Sequence, residues 1–186
     1  VETPAGIMEP EITVGADNKA ELITINMGRP SFNRSEIPME GTDGRVLNED
    51  LGVDGENWKI TSLLMGVPHT VTYVDDVDSV DIEKIGPLFE KHEAFPKHTN
   101  INFAQQMDDR TVKVRTWERG AGATLACGTG SCSVAVASFL NGRTGREVDI
   151  QLPLGNLHIE YREEDGNVYM TGPAAVSFTG TWPDET

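Results

Sequence analysis

The chain has 186 residues, enough to bury a substantial core as one large domain or two small ones. Its 15 Lys and Arg stand against 30 Asp and Glu, and the formal net charge of −15 reads as a solubilising acidic surface that repels nucleic acid and anionic lipid. No run approaches the ~20 apolar residues of a membrane span or reads as a signal peptide. The two cysteines, Cys127 and Cys132, are too close in sequence for a disulfide framework, so a reduced, cytoplasmic setting is expected.

The chain opens Val1-Glu2-Thr3-Pro4 without an initiator Met, the start expected of a processed precursor or a fragment. Glu11 to Val14 and Ala20 to Met27 read as strands joined by the turn Gly15-Ala16-Asp17-Asn18. Arg29 to Asn57 is polar and rich in Gly, Pro, Asn and Asp, the composition of a linker or long surface loop. Trp58 to Met65 and His69 to Val74 alternate as strands around Gly66-Val67-Pro68. Asp81 to His92 has helical spacing at Ile82, Ile85, Leu88 and Phe89, with an interruption expected at Gly86-Pro87. Asn100 to Met107 pairs with Thr111 to Trp117. Strands are expected again at Glu147 to Leu152, Leu157 to Tyr161, Val168 to Thr171 and Ala175 to Thr179, with Glu164-Asp165-Gly166-Asn167 as a hairpin turn. Ser131 to Leu140 differs from all of these. It is small or apolar on every face, as a helix buried all round must be. So many strands around such a helix predict an α+β fold, a strongly curved mixed sheet wrapped about the central helix Ser131–Leu140.

Chemistry concentrates between Trp117 and Cys132. Gly128-Thr129-Gly130 leads into the buried helix, whose first N–H groups lack internal partners and carry partial positive charge. Such a turn cradles a carboxylate or phosphate and favours a thiolate at Cys127, lowering its pKa. Cys127 is therefore either a reactive thiolate, able to attack a substrate or take a proton from it, or a buried packing residue before a tightly packed helix start. Cys132, inside the helix, is assigned to packing. The spacing is not Cys-x-x-Cys and no second ligand cluster exists, which disfavours zinc, and the run lacks the Gly-Lys-Ser/Thr ending of a P-loop. Neighbouring Glu118 and Arg119 either hold the two ends of a zwitterion or form an ordinary solvated pair. His69 either lines a site or is structural.

The run Trp117-Glu118-Arg119-Gly120-x-Gly122-x-Thr124-Leu125-Ala126-Cys127-Gly128-Thr129-Gly130-x-Cys132 resembles the second active-site motif of diaminopimelate epimerases. Met65-Gly66-Val67-Pro68-His69, Thr99-Asn100-x-Asn102-Phe103, Leu152-Pro153-x-Gly155 and Met170-Thr171-Gly172-Pro173-Ala174 are similar to other segments of that family, and the likeness spans nearly the whole chain, least over Arg29 to Asn57. The resemblance implies a cofactor-independent, PLP-free, two-base isomerase that interconverts LL- and meso-diaminopimelate in lysine and peptidoglycan synthesis, with no metal. It implies two similar lobes, each a curved sheet around a helix with a catalytic cysteine at its start. Cys127 then serves as one acid/base. Gly128 and Thr129 bind the α-carboxylate, Glu118 the α-ammonium, Arg119 and Asn100 the distal carboxylate, and His69 and Val67 line the site.

Two features depart from the family pattern. The first lobe's Gly-Asn-Gly-x-Arg-Cys run is absent from the chain, and Val67 stands where the family has Asn, a residue that helps grip the distal carboxylate. The expected organisation is a remnant of the N-terminal lobe and linker over 1–38, the C-terminal catalytic lobe over 39–173, and a strand returning to the first lobe over 174–186. Exposed apolar surface is expected where the other lobe's strands would pack. The implied partners are the amino-acid substrate, the N-terminal lobe and, in a homodimer, a second copy. The alternatives are a related cofactor-independent racemase for another amino acid and a non-catalytic amino-acid-binding lobe.

Overall fold

The computed structural model describes residues 1–3, 6–176 and 178–181. Glu2–Thr3 (β1) and Gly6–Ile7 (β2) form a small antiparallel ribbon. The expected hairpin follows, with Glu11–Val14 (β3) antiparallel to Ala20–Asn26 (β4). Its turn is closed by the Gly15 N–H donating to the Lys19 carbonyl at 2.8 Å.

The polar stretch read as a linker is structured instead. Val46–Val53 (β5) and Glu56–Met65 (β6) pair antiparallel across Asp54-Gly55, a two-residue turn in which both residues have positive φ (54° and 80°). A register shift between Val46 and Glu49 breaks the alternation that would have marked β5 in the sequence, although Val46, Leu51 and Val53 are all buried. Val67–Tyr73 (β7) returns from β6 at Gly66, whose φ of 73° is left-handed.

After a 3-10 turn at Val77–Ser79 comes the helix Ile82–Glu90 (α1), capped by the Asp81 carboxylate accepting the Lys84 N–H. The helix continues through Pro87, contrary to the interruption expected there. In so short a helix Pro87 forgoes one backbone bond, and the Lys91 N–H still donates to the Pro87 carbonyl. Gly86 has a packing reason: a Cβ there would lie 2.6 Å from Cγ of Trp117.

Asn100–Gln106 (β8), Thr111–Glu118 (β9) and the short Gly122–Thr124 (β10) precede the central helix Gly128–Leu140 (α2). Then follow Glu147–Leu152 (β11), Gly155–Tyr161 (β12) and Val168–Pro173 (β13). The strand expected at Ala175 to Thr179 has no strand pairing among its described residues, and Ser177 lies outside them. Alternation shows what a segment can pair as; pairing itself needs a neighbour.

Among the described residues, eleven strands form one mixed sheet in the order β3-β4-β13-β12-β11-β9-β8-β7-β6-β5, with β10 beside β9. Two neighbours run parallel, β7 with β8 and β9 with β11, and each needs a crossover. The first crossover carries α1 and the second α2. Both step along the sheet in the same direction, but β8 and β9 are antiparallel, so right-handed crossovers place the two helices on opposite faces. Packing agrees. Ile101, Phe103 and Trp117 join Phe89 of α1 in one cluster, while Ala104, Val112 and Val114, on the alternate face, join Val134 to Ala137 of α2 in another. The sheet bends around α2, which touches β6 to β9 and β11 to β13, and Gly130 through Ser138 are all buried. The expected α+β fold, a curved mixed sheet around a buried helix, is therefore present.

Candidate functional site at the start of the buried helix

The central helix begins three residues earlier than its apolar run indicates. Gly128-Thr129-Gly130 forms its first turn rather than a lead-in, and Cys127 is the N-cap with an extended backbone (φ −140°, ψ 109°). Glycine scores poorly as a helix former, and the capping sulfur overrides that cost. Cys127 Sγ accepts the Gly130 N–H at 3.3 Å and lies 3.6 Å from the Thr129 hydroxyl oxygen. The N–H groups of Gly128 and Thr129, the next two orphans of the helix start, find no acceptor among the described residues. The second glycine serves the protein itself: a Cβ at Gly130 would lie 2.6 Å from Asn102 Oδ1 and 3.1 Å from Cys127 Sγ. Cys132 lies inside the helix, fully buried, and burial pushes its thiol up to about 12.

Three strands supply the opposite wall. His69 of β7 shares a face with Val71, Asn102 of β8 with Ala104, and Thr116 of β9 with Val112 and Val114. Those apolar partners pack on α2, so the three polar residues are presented to its N-terminal end. The His69 Nε2 lies 3.0 Å from Thr129 Oγ1, and its Nδ1 lies 3.2 Å from Asn102 Nδ2. His69 is fully buried; desolvation, with the Arg119 charge adding, drops its pKa to about 3, so the ring is neutral.

The β9–β10 turn brings in Glu118 and Arg119. Gly120 and Gly122 both have positive φ (80° and 81°), and the Ala121 N–H donates to the Glu118 carbonyl. Buried Glu90, at the end of α1, holds this turn by accepting the Trp117 indole N–H at 2.7 Å and the Gly120 N–H at 3.3 Å. Asn100 braces it from the other side: its Oδ1 accepts the Arg119 backbone N–H at 2.7 Å while its Nδ2 donates to the Pro68 carbonyl. The exposed Arg119 guanidinium donates to the Lys97 carbonyl at 2.8 Å.

The Cys127 pKa is raised, not lowered as its helix position alone suggests. Burial is the main cause, and the Glu118 carboxylate adds to it through charge and a hydrogen bond; the Thr129 hydroxyl and Gly130 N–H pull the other way without prevailing. The resting group is a thiol with thiolate-stabilising donors already in place.

The fold thus gathers Cys127, Gly128, Thr129, His69 and Glu118 at one end of α2, with Arg119 on the adjoining turn and Asn100, at the start of β8, bonded to that turn. Val67 lies half-buried at the start of β7. An open cavity of about 610 Å³ adjoins this end, lined by Thr129, Met65, Gly66, Met27 and Tyr169 among others. Among the described residues no group of three or more His, Cys, Asp or Glu could hold a metal ion. The sequence analysis assigns no role to Asn102, Thr116 or Glu90. Their signal was weak: Thr116 follows Val112 and Val114 on one face of its strand, Asn102 stands beside Asn100 on a face that is largely polar, and Glu90 is an acid in the last turn of an amphipathic helix.

The family model for diaminopimelate epimerase matches residues 61–177. A diaminopimelate epimerase of Pelotomaculum thermopropionicum is 49% identical over 186 residues, covering all of this chain and 66% of the relative. One from Methanococcus maripaludis is 46% identical over 180 residues, covering 97% and 65%. The chain thus spans just under two thirds of the length of these relatives. Two solved structures share the fold at low identity. A hydroxyproline epimerase from Agrobacterium vitis has a TM-score of 0.65 at 15% identity, covering 92% of this chain and 55% of its own. A probable proline racemase from Agrobacterium radiobacter has a TM-score of 0.66 at 14% identity, covering 96% and 59%. With the family model matching most of the sheet, all of α2 and the cysteine at its start, the chain belongs to the diaminopimelate epimerase family.

Proposed function

We propose that this chain supplies one half of the active site of a cofactor-independent epimerase that interconverts LL- and meso-diaminopimelate in the cytoplasm. The observation that carries the reading is Cys127: a thiol at the N-cap of a buried helix, with Gly130 and Thr129 donors on its sulfur and, beside it, two N–H groups without an acceptor among the described residues.

The chemistry follows from that arrangement. The α-carboxylate of the substrate seats on the N–H groups of Gly128 and Thr129, where the helix dipole favours negative charge. The same donors stabilise the charge that grows on that carboxylate as the α-carbon loses its proton. Glu118 takes the α-ammonium. Arg119 and Asn100, whose amide nitrogen donates only to the Pro68 carbonyl among the described residues, take the distal carboxylate, and His69 and Val67 border the site. A second thiol, on the portion of the family's length outside this chain, faces the other side of the α-carbon. One thiolate removes the α-proton, and the opposite thiol delivers its own proton to the other face, becoming the thiolate. A raised Cys127 pKa keeps it protonated as the donor in one direction. In the reverse direction its thiolate is formed where Gly130 and Thr129 stabilise it. Residues 1–38 and 174–186 belong, on this reading, with the first lobe. The apolar side chains exposed there, including Ile7, Ile12, Val14, Leu22 and Phe178, support that assignment.

Val67 favours a second reading, an amino acid without a distal carboxylate as substrate, because an apolar side chain there offers no hydrogen bond. The test is α-proton exchange in D2O followed by NMR, on the complete protein with a panel of amino acids. Diaminopimelate is expected to exchange fastest, and Cys127→Ala to lose roughly 10²- to 10⁴-fold. Undiminished exchange in Cys127→Ala overturns the role of this thiol, and preference for another amino acid selects the second reading.

A further inference from the structure

The polar residues facing the helix start form a hydrogen-bonded chain whose direction can be deduced. Asn102 is fully buried, and its Nδ2 lies 3.1 Å from the carbonyl oxygen of Thr70, which can only accept. That contact fixes the orientation of the amide. Its Oδ1 accordingly accepts the Thr116 hydroxyl at 3.0 Å. The second Nδ2 hydrogen points to His69 Nδ1 at 3.2 Å, so that nitrogen must be bare. A neutral imidazole with a bare Nδ1 carries its hydrogen on Nε2, which then donates to Thr129 Oγ1 at 3.0 Å. The hydroxyl of Thr129, its lone pair engaged, has its own hydrogen left for Cys127 Sγ at 3.6 Å. Gly130 can be nothing but glycine in this arrangement, since a Cβ there would lie against both Asn102 Oδ1 and the sulfur.

We propose that Asn102 is a positioning residue that locks His69 in its Nε2–H tautomer, so that a one-way chain of donors, Asn102 to His69 to Thr129, ends on the Cys127 sulfur. The opposite tautomer reverses the last two links: Nε2 becomes an acceptor, Thr129 donates to it, and the sulfur faces an oxygen lone pair. Neutral amide, imidazole and hydroxyl thus favour the thiolate without placing a charge beside it, and no proton has to leave the chain. Other charged or titratable groups face the same atoms and must be held constant: the Arg119 charge bears on His69, the Glu118 carboxylate bears on Cys127, and the neutral Cys132 thiol lies on the same helix. The proposal takes its significance from the acid/base role of Cys127, but its test reads the imidazole and the thiol directly and needs no turnover.

Long-range proton–nitrogen NMR of the ¹⁵N-labelled chain near neutral pH, with the His69 signal assigned by its loss in His69→Gln, should show a protonated Nε2 and a bare Nδ1. A protonated Nδ1 overturns the proposal without any Asn102 variant. The second arm is the iodoacetamide alkylation rate of Cys127, located by peptide mass, in a double-mutant cycle of Asn102→Asp and Thr129→Val. Asn102→Asp offers Nδ1 an acceptor and should slow alkylation about tenfold, the worth of one hydrogen bond to a charged group. In the Thr129→Val background only the added charge should still act, and the slowing should be clearly smaller. Equal slowing in both backgrounds means that charge alone is felt and overturns the relay.

Discussion

Strands β3 and β8 are both short, both alternate, and both belong to the same sheet, yet their side chains meet opposite fates. In β8, Ile101, Phe103 and Ala104 are wholly buried, and even Asn100 and Asn102 are out of solvent. In β3, Ile12 is 57% exposed and Val14 56%. The difference lies in what covers the sheet. β8 is sandwiched between α2 and the layer containing α1, whereas β3 is the edge strand beyond β4, with neither helix packed on it among the described residues. Alternation assigns residues to faces; only a second layer removes a face from water.

The comparison can be broken most sharply at Phe89. Its ring meets Trp58 and Phe103 edge-on, with centroids 5.4 and 5.8 Å away, and is fully buried. Phe89→Ala should cost about 3–5 kcal/mol in denaturant unfolding, while Ile12→Ser should change stability by no more than about 0.5 kcal/mol. Similar losses at the two sites would mean that β3 is covered in solution. Gly86→Ala, a smaller perturbation of the covered region, should cost about 1–3 kcal/mol, because its Cβ meets the Trp117 ring and Trp117 anchors the Glu90 clamp. No measurable loss there would show that α1 sits more loosely on the sheet than described.

A third measurement asks whether burial is as strict at the polar end of β7 to β9. The folded pKa of His69, about 3, lies below its unfolded value near 6.5, so between these pH values the unfolded chain binds a proton that the folded chain does not. Stability from this group is therefore present above pH ~6.5 and lost as pH falls toward 3, with a slope of up to ~1.4 kcal/mol per pH unit. Carboxylates add their own acid dependence, so the informative quantity is the difference from His69→Gln, which should lose this component. Identical acid profiles for the two proteins would place His69 in contact with solvent.

Much of this was legible before folding. The period-2 runs located β3, β4, β6 to β9 and β11 to β13, and the helix without a polar face marked what the sheet must enclose. Composition misled at Arg29 to Asn57, where Asp54-Gly55 was a visible hairpin signal but a bulge beside Asn48 hid the strand before it. Gly86-Pro87 misled in the opposite direction, since the glycine is there to let Trp117 approach. At the site, the motif around Cys127 was evident from its glycines and its place before the apolar helix. Asn102, Thr116 and Glu90 were not, because each acts through residues distant in sequence.

What the sequence by itself determined is therefore local: the alternation, the turn residues, the buried helix, and a thiol at its start beside an acid and a base. What only the tertiary structure decided is the state of those groups. The Cys127 thiol is raised because the folded sheet shuts out water and brings Glu118 near, a balance of desolvation against helix-end donors that no local pattern encodes. The His69 tautomer likewise depends on Asn102, a residue 33 positions away whose amide is oriented by a carbonyl on the neighbouring strand. Burial and long-range hydrogen bonding exist only once the strands are side by side, so the chemistry of the site is a property of the fold and not of the motif alone.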